Sequence, residues 1–461
     1  MSIADVRTLE EFDFYVDGEP RAARSGERFD SIDPTTGEPW ARIAAADAAD
    51  VDDCVRSARA AFTGPWRDVP ASERGLLLFR LADAIDENAE RIGALETREN
   101  GKLLREMVVQ ARLVPKWLRY FAGQADKIEG TTIPLDRPSI VNYTVREPLG
   151  VVGVIMPWNS PVFLSMMAVA PALAAGNTVV VKPSEVTPTS MLEVARLATE
   201  VGFPPGVLNV VTGLGPAGEA LVRHPDVAKI SLTGGIETGR AIGIAAAERF
   251  AKVTLELGGK SANIVFEDAD VDAAEAGLLA GIFAAAGQTC VAGSRAFVHE
   301  SLYDELVERA RAQGGEVVAG GGPAQVEGLP NGLFYEPTVV RNLDHGAHLA
   351  QNEVFGPVLA VFPFRTEEEV TALANATRYG LAAGVWTRNV SRAHRMARAL
   401  EAGTVWINMY RAMAPQSPFG GYKDSGVGRQ NGSEAILEYV QTKSVWVETE
   451  VEAQDPFILR V

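Results

Sequence analysis

The chain has 461 residues, of which 47% are hydrophobic and 22% charged, which is enough to bury a large core and form two or three domains. Its formal net charge of -17 argues against nucleic acid or an anionic membrane surface as a partner, because both require basic patches. The two cysteines cannot form a disulfide framework, and the first twenty residues carry no secretory signal, so a cytoplasmic location is expected. No metal site is predicted.

Taken in chain order, residues 70–125 have apolar positions three and four apart, which predicts amphipathic helices. Residues 127–147 are rich in β-formers and predict an extended excursion. From 151 to 257, short apolar strands alternate with helical segments, and a second series of the same kind follows from 258. The tail at 440–448 predicts one more strand.

Strands separated by helices of this length pair in parallel through right-handed crossovers. We therefore predict an α/β protein with two doubly wound parallel-sheet domains and a small β extension. The limits expected for these parts are 1–126 with 148–257 for cofactor binding, 258–435 for catalysis, and 127–147 with 436–461 for oligomerisation.

Cys290 lies among small residues in the run GQTCVAGS, where a substrate carbonyl could approach a thiol. Taken alone, a lone cysteine is more often a buried structural thiol. Six further motifs accompany it: PWN at 157–159, KPSE at 182–185, a glycine turn at 234–239, LELGGK at 255–260, EVFGP at 353–357 and PFGGYKDSG at 418–426. Taken in their order along the chain, the seven motifs resemble those of the aldehyde dehydrogenase superfamily, and the resemblance covers essentially the whole chain.

The resemblance implies a reaction in which Cys290 adds to an aldehyde to form a thiohemiacetal and then a thioester. It implies that the side-chain amide of Asn159, together with the backbone N–H of Cys290, stabilises the oxyanion. Glu256, at the end of an apolar strand and before a glycine pair, is implied as the base that activates water for hydrolysis. The alternatives are a turn residue at Asn159 and a solvated acid at Glu256.

NAD is the cofactor that the resemblance implies. Glu185, next to Lys182, would accept hydrogen bonds from the adenosine ribose and repel a 2′-phosphate, which favours NAD over NADP. The glycine turn opens a helix where a pyrophosphate meets N-terminal amides, although relatives usually carry Ser at the position of Gly235. The cofactor-binding residues implied are Lys182, Glu185, Trp158, Thr233, Gly234, Gly235, Gly239, Leu257, Glu353 and Phe355.

The substrate itself cannot be identified from the motifs. Ser160 stands where many relatives carry an aromatic residue, which predicts a wider and more polar pocket beside Met167 and Phe419. Arg411 lies in the segment that lines the substrate entrance in the family, where it could pair with an anionic group; a solvent-facing arginine is an equal alternative.

The catalytic half is also unusually short, because only 313–315 separate a helix from the next strand. The reaction predicted is NAD-dependent oxidation of an aldehyde to a carboxylic acid by a homodimer or homotetramer. Two alternatives stay open: a cofactor-free thiol hydrolase, and a non-catalytic or impaired relative with a shortened catalytic domain.

Overall fold

The computed structural model describes residues 9–312 and 320–450. Within these ranges the strands are β1 (Glu10–Phe12), β2 (Phe14–Val16), β3 (Glu19–Arg21), β4 (Arg28–Asp33), β5 (Glu38–Ala44), β6 (Thr132–Ile133), β7 (Ile140–Pro148), β8 (Val151–Ile155), β9 (Thr178–Lys182), β10 (Leu208–Val210), β11 (Val227–Thr233), β12 (Lys252–Glu256), β13 (Ala262–Val265), β14 (Arg295–His299), β15 (Thr338–Val340), β16 (Val358–Phe364), β17 (Tyr379–Gly380), β18 (Ala382–Trp386), β19 (Thr404–Ile407), β20 (Tyr422–Lys423), β21 (Gly426–Val427) and β22 (Val440–Glu448).

The helices in the same ranges are α1 (Ala48–Thr63), α2 (Ala71–Glu87), α3 (Ala89–Asn100), α4 (Leu104–Ala122), α5 (Pro161–Ala174), α6 (Thr189–Glu200), α7 (Gly215–Arg223), α8 (Ile236–Ala247), α9 (Val271–Ile282), α10 (Glu300–Ala312), α11 (His348–Gln351), α12 (Glu367–Asn375) and α13 (Val390–Ala399). Short 3-10 helices follow at Pro65–Asp68, Ala284–Gly287 and Ala435–Tyr439. In the described ranges, no helix combines the length and the apolar character needed to cross a bilayer.

Two large sheets carry the fold. The first has the strand order β21-β12-β11-β8-β9-β10-β2-β3, and its five central strands are parallel. The second has the order β15-β16-β14-β13-β18-β19 and is parallel throughout. The α/β class with two doubly wound sheets is therefore confirmed.

The chain passes between the sheets more than once. Strand β12 of the first sheet ends at Glu256, and strand β13 of the second sheet begins at Ala262. The chain thus crosses from one sheet to the other at the predicted glycine pair. The later strand β21 returns to the first sheet, where Val427 pairs with Leu255. The predicted domain limits remain predictions.

The extended segment and the tail form a third sheet of order β22-β7-β6. Nine residues of β22 pair with β7, from Val440 opposite Pro148 to Glu448 opposite Ile140. Its role in oligomerisation stays a prediction. The short connection at 313–315, most of the strand predicted after it, and residues 451–461 lie outside the described ranges.

The core of the first sheet is packed by α2, α4, α5 and α6, whose apolar faces form one cluster with strands β8, β9 and β10. α5 is buried along almost its whole length, which explains why its sequence is apolar all round rather than on one stripe. This rigid layer fixes the loop that precedes α5, where the PWN motif lies.

Candidate active site

A cleft of about 700 Å³ opens between the two sheets. Its floor is made by the carboxyl ends of β8, β9, β11 and β12, the place where doubly wound sheets bind ligands. Twelve of the residues predicted from the motifs line it: Trp158, Asn159, Lys182, Glu185, Thr233, Gly234, Gly235, Glu256, Leu257, Cys290, Glu353 and Phe355. Motifs separated by almost 200 residues thus meet in one cavity.

One half of the cleft has the features of a nucleotide site. Lys182 Nζ donates to Glu185 Oε2 at 3.3 Å, and the Glu185 side chain is 50% exposed and faces the cleft. Burial lowers the pKa of Lys182, whereas the Glu185 carboxylate opposes that shift. Gly235 precedes α8 with open space where a side chain would lie, so a ligand can approach the helix N-terminus closely.

The glycine pair 258–259 allows the other half of the cleft to close tightly. A Cβ atom on Gly258 would collide with the Glu353 carboxylate, and one on Gly259 would collide with the carbonyl oxygen of Cys290. The backbone N–H of Gly259 donates to Glu353 Oε1 at 3.1 Å. The pair is therefore needed to bring Glu353 and the cysteine loop next to the end of β12.

Glu256 is a buried carboxyl group without a protein partner. It is 2% exposed, and neither of its oxygens has a hydrogen-bond partner among the described residues. Burial raises its pKa well above the ordinary value, while the Arg429 guanidinium opposes the rise. A raised pKa makes the ionised carboxylate a stronger base than an ordinary glutamate, as a general base requires.

Cys290 follows a strained turn. Ala285 and Ala286 have φ values of 54° and 55°, in the left-handed region that costs a non-glycine residue about 1 kcal/mol or more. Gly287 continues the turn at φ 69°, and a side chain there would collide with the Gly356 carbonyl. Glycine at 287 is therefore required by the backbone as well as by access to the thiol.

The Cys290 thiol is partly buried and faces the cleft. Burial raises its pKa to about 12, and the carboxylates of Glu353 and Glu256 add to the rise. Hydrogen bonds from the backbone N–H groups of Val291 and Cys290 act in the opposite direction. The ligand-free thiol is therefore protonated near neutral pH.

Asn159 lies beside the cysteine loop. Its Nδ2 donates to the Gln288 carbonyl oxygen at 3.0 Å, which leaves the second amide hydrogen for another acceptor. Lys102, only 3% exposed, donates from Nζ to the Asn159 carbonyl oxygen and to that of Gln288, the latter at 3.3 Å. One buried ammonium thus joins the two loops that carry Asn159 and Cys290.

Sequence reasoning missed Lys102 and Arg429. Lys102 stands in the short connection between α3 and α4, and none of the seven motifs includes it. Arg429 follows the PFGGYKDSG motif, and its Nη1 donates to the carbonyl oxygens of Gly421 and Gly428. Neither residue has a local signature, because Lys102 contacts loops distant in sequence and Arg429 acts on Glu256 through its charge.

Aromatic residues border the cleft at the end of the PWN motif. The rings of Trp158 and Phe355 meet edge to face, with centroids 5.5 Å apart. Phe355 has a φ of 58°, a left-handed conformation that an aromatic residue rarely adopts. This strained conformation supports a functional rather than a core role for the ring.

Five predicted residues are not part of the cleft lining. Gly239 packs against Leu257, and Ser160 donates to the carbonyl oxygen of the preceding residue at 2.7 Å. Met167 is completely buried and Phe419 is 6% exposed, both within the main core cluster. Arg411 is half-buried, and its Nη1 donates to the Ala280 carbonyl oxygen at 3.0 Å.

The sequence profile described as "Aldehyde dehydrogenase family" matches residues 21–313 and 305–445. The chain is 45% identical to a (Z)-2-((N-methylformamido)methylene)-5-hydroxybutyrolactone dehydrogenase of Acinetobacter baylyi, over 98% of this chain and 100% of that protein. It is 43% identical to the mitochondrial aldehyde dehydrogenase of Homo sapiens, over 94% and 91% of the two chains. An aldehyde dehydrogenase from Bacillus cereus, solved as its NAD+ complex, superposes with a TM-score of 0.91 at 40% identity, over 96% and 97% of the two chains.

With the family profile and the nearly full-length relatives agreeing, this chain belongs to the aldehyde dehydrogenase family. The alignment with the Acinetobacter protein runs over 498 positions, more than the 461 residues of this chain, so that relative has residues without counterparts here. The two profile matches meet near residue 313, where the sequence predicts a shortened connection.

Proposed function

We propose that this chain oxidises an aldehyde to a carboxylic acid with NAD as hydride acceptor, and that Cys290, Asn159 and Glu256 carry the chemistry. The observation that carries the proposal is that the thiol and the unpaired carboxyl open into the same cleft as Lys182, Glu185 and the N-terminus of α8. The nearly full-length match to aldehyde dehydrogenases argues against a cofactor-free thiol hydrolase and against a non-catalytic relative.

The residues present fit NAD. The cleft volume is that of a site for a dinucleotide-sized ligand, since such pockets range from about 300 to 1,000 Å³. Glu185 and Lys182 would hold the adenosine ribose, the backbone before α8 would hold the pyrophosphate, and Glu353 would hold the second ribose. When bound, the nicotinamide accepts the hydride that leaves the carbon attached to Cys290.

The chain's own groups then perform the following steps. Cys290 Sγ, once ionised, adds to the aldehyde carbon, and the oxygen that becomes negative accepts hydrogen bonds from the free Asn159 amide hydrogen and a backbone N–H. Loss of hydride restores the carbonyl as a thioester. Glu256 removes a proton from water, the resulting hydroxide adds to the acyl carbon, and the C–S bond breaks to give the acid and the thiolate.

The substrate class proposed is an aldehyde with an acidic group at its far end. Arg411 supports this proposal because its charge interacts with that of Cys290, although Glu106 offsets part of it and the side chain is not part of the cleft lining. The pairing is weaker than the sequence suggested, since the guanidinium already donates to the Ala280 carbonyl oxygen.

A homodimer or homotetramer in the cytoplasm is also proposed. The third sheet supports the oligomer, because the apolar side chains of Val141, Tyr143, Val145 and Val447 are exposed on one of its faces. An exposed apolar sheet face of this kind is typical of a subunit contact. The use of only two cysteines, both free, agrees with a reducing compartment.

The test is a panel of aldehydes with NAD in which NADH formation is followed by absorbance. Cys290→Ala should abolish NADH formation while NAD binding, measured by calorimetry, stays within about threefold of the unmodified enzyme. The matched control is Cys54→Ala, which removes the other buried thiol, away from the cleft. Substantial turnover by Cys290→Ala would refute the assignment of the nucleophile.

A further inference from the structure

β11 and β12 present two unlike faces. Their side chains at Ile230, Leu232 and Leu255 pack into an apolar core cluster. The opposite face carries a row of polar residues, which we call the polar ladder: Lys229, Ser231 and Thr233 on β11, and Thr254 and Glu256 on β12. Buried strands of a parallel sheet are normally apolar on both faces, so this row needs a reason.

The ladder is continuous because of the strand register. Thr233 lies opposite Glu256, and Ser231 lies opposite Thr254. Successive residues on one face of a strand are about 6.6 Å apart, and neighbouring strands are about 4.8 Å apart. Gaps of this size between hydroxyl groups are of the length that one bridging water molecule can span.

Several ladder atoms have no protein partner. The hydroxyl groups of Ser231 and Thr233 and both oxygens of Glu256 are buried without a hydrogen bond among the described residues, and so is the hydroxyl of Tyr439. Burial raises the pKa of Tyr439; the Glu438 and Glu256 carboxylates add to the rise, and the neighbouring Ser231 hydroxyl opposes it. Since buried polar groups are almost always paired, these atoms have hydrogen-bonding capacity that ordered water can fill.

The far end of the ladder reaches the surface. Lys229, with no exposed surface of its own, donates from Nζ to Thr254 Oγ1 at 2.8 Å and to Glu438 Oε2 at 3.4 Å, and it lies 5.1 Å from the centre of the Tyr439 ring. The Glu438 side chain is 39% exposed. Polar groups thus extend from the catalytic carboxyl to a carboxylate in contact with solvent.

We propose that the polar ladder, with Tyr439 and Glu438, conducts the proton that Glu256 takes from the hydrolytic water to the solvent. This inference rests on the proposed hydrolytic role of Glu256. The overall step converts the thioester and one water into the carboxylic acid, the Cys290 thiolate and one proton. That proton leaves Glu256 along the ladder through hydroxyl groups and water, and Glu256 is ionised again for the next turnover.

A separate exit is needed because the cleft offers little solvent to Glu256. The carboxyl is 2% exposed, and a cofactor and an acyl group in the cleft would cover it further. Lys229 takes part by donating hydrogen bonds, and burial lowers its pKa to about 8, so it exchanges protons more readily near neutral pH than an ordinary lysine.

The experiment measures deacylation directly. Cys290 is acetylated with 4-nitrophenyl acetate in the full-length enzyme, and the loss of the acetyl group is followed by intact mass spectrometry after rapid quenching, in H2O and in D2O. The variants are Tyr439→Phe, which removes a hydroxyl group, and Thr254→Val, which replaces a hydroxyl group by a methyl group. Thr254→Ser restores the hydroxyl, and Tyr303→Phe is the matched control, because its buried hydroxyl is equally unpaired but lies in the second half of the fold.

The expected result is a roughly tenfold slower deacylation in Tyr439→Phe and Thr254→Val, with a larger solvent isotope effect. The rate of acetylation should be unchanged, and Thr254→Ser and Tyr303→Phe should match the unmodified enzyme. Equal deacylation rates in all variants would overturn the proton route. Absence of acetylation at Cys290 would instead refute the proposed nucleophile, so the two failures are distinguishable.

A purely structural role for the ladder predicts a different pattern. Acetylation and deacylation would slow together, the solvent isotope effect would stay constant, and the thermal unfolding midpoint would fall in proportion. That combination would also overturn the proposal.

Discussion

The two halves of the cleft differ in the exposure and pairing of their ionisable groups. In the nucleotide half, the Glu185 carboxylate is half exposed and paired with the Lys182 ammonium. In the reacting half, the carboxyl of Glu256 has no partner and its pKa is raised, as is that of the Cys290 thiol. The nucleotide half only has to bind a ligand, whereas the groups of the reacting half exchange protons, for which displaced pKa values are typical.

The largest expected effect comes from the unpaired carboxyl. Glu256→Gln should lower steady NADH production by at least about a hundredfold and leave the first burst nearly intact, because the residue acts after hydride transfer. Rapid-mixing absorbance separates the two phases. An equal loss in both phases would show that Glu256 acts at or before hydride transfer. The lack of a partner for its buried carboxyl would then need another explanation.

The nucleotide half is tested by removing its charge. Glu185→Gln should raise kcat/KM with NADP by roughly tenfold relative to NAD, because the like-charge contact with a 2′-phosphate disappears and Lys182 becomes free to pair with it. Steady-state kinetics with both cofactors measure this ratio. If the unmodified enzyme used NAD and NADP equally well, Glu185 would not be the ribose-binding residue.

A third prediction compares a Glu→Gln substitution in the reacting half of the cleft with one in the nucleotide half. Glu353→Gln should lower the pKa of the Cys290 thiol, because the neighbouring carboxylate raises it. The thiolate fraction at pH 8 then increases, and alkylation by iodoacetamide becomes roughly several-fold faster in the cofactor-free enzyme. The control is Glu185→Gln, which removes a carboxylate from the nucleotide half and should leave the rate of alkylation at pH 8 unchanged.

The smallest effect is expected at Arg411. Arg411→Ala should raise KM for aldehydes with an acidic end by about two- to threefold and leave neutral aldehydes unaffected, because Glu106 already offsets part of its charge. Kinetics with acidic and neutral aldehydes of equal length provide the measurement. Identical KM values for both kinds in the unmodified enzyme would remove the case for this residue.

The fold and the reaction class could be predicted because their signals are local. Strands such as β8 and β9 are short apolar runs with turn residues after them, and the motifs PWN and KPSE stand at or just beyond those ends. The functional assignment of the individual residues remains a prediction, although the cleft brings most of them together.

What the sequence could not reveal depends on contacts between distant segments. Met167 lies on the same apolar helix as a residue that lines the pocket. Because α5 is buried on all sides, the Met167 side chain packs in the core instead. Tyr439 looks like an ordinary residue near the tail, and only the strand register of β11 and β12 places polar groups beneath it. The positive φ of Phe355 is likewise invisible in its sequence.

Lys102 has a consequence for dividing this chain into parts. Every residue that lines the cleft lies after position 150, so a fragment that starts at 127 would carry the complete lining. Such a fragment would lack the one ammonium that ties the carbonyl oxygens of Asn159 and Gln288 together. A minimised or circularly permuted version of the enzyme therefore has to retain the connection between α3 and α4 along with the two sheets.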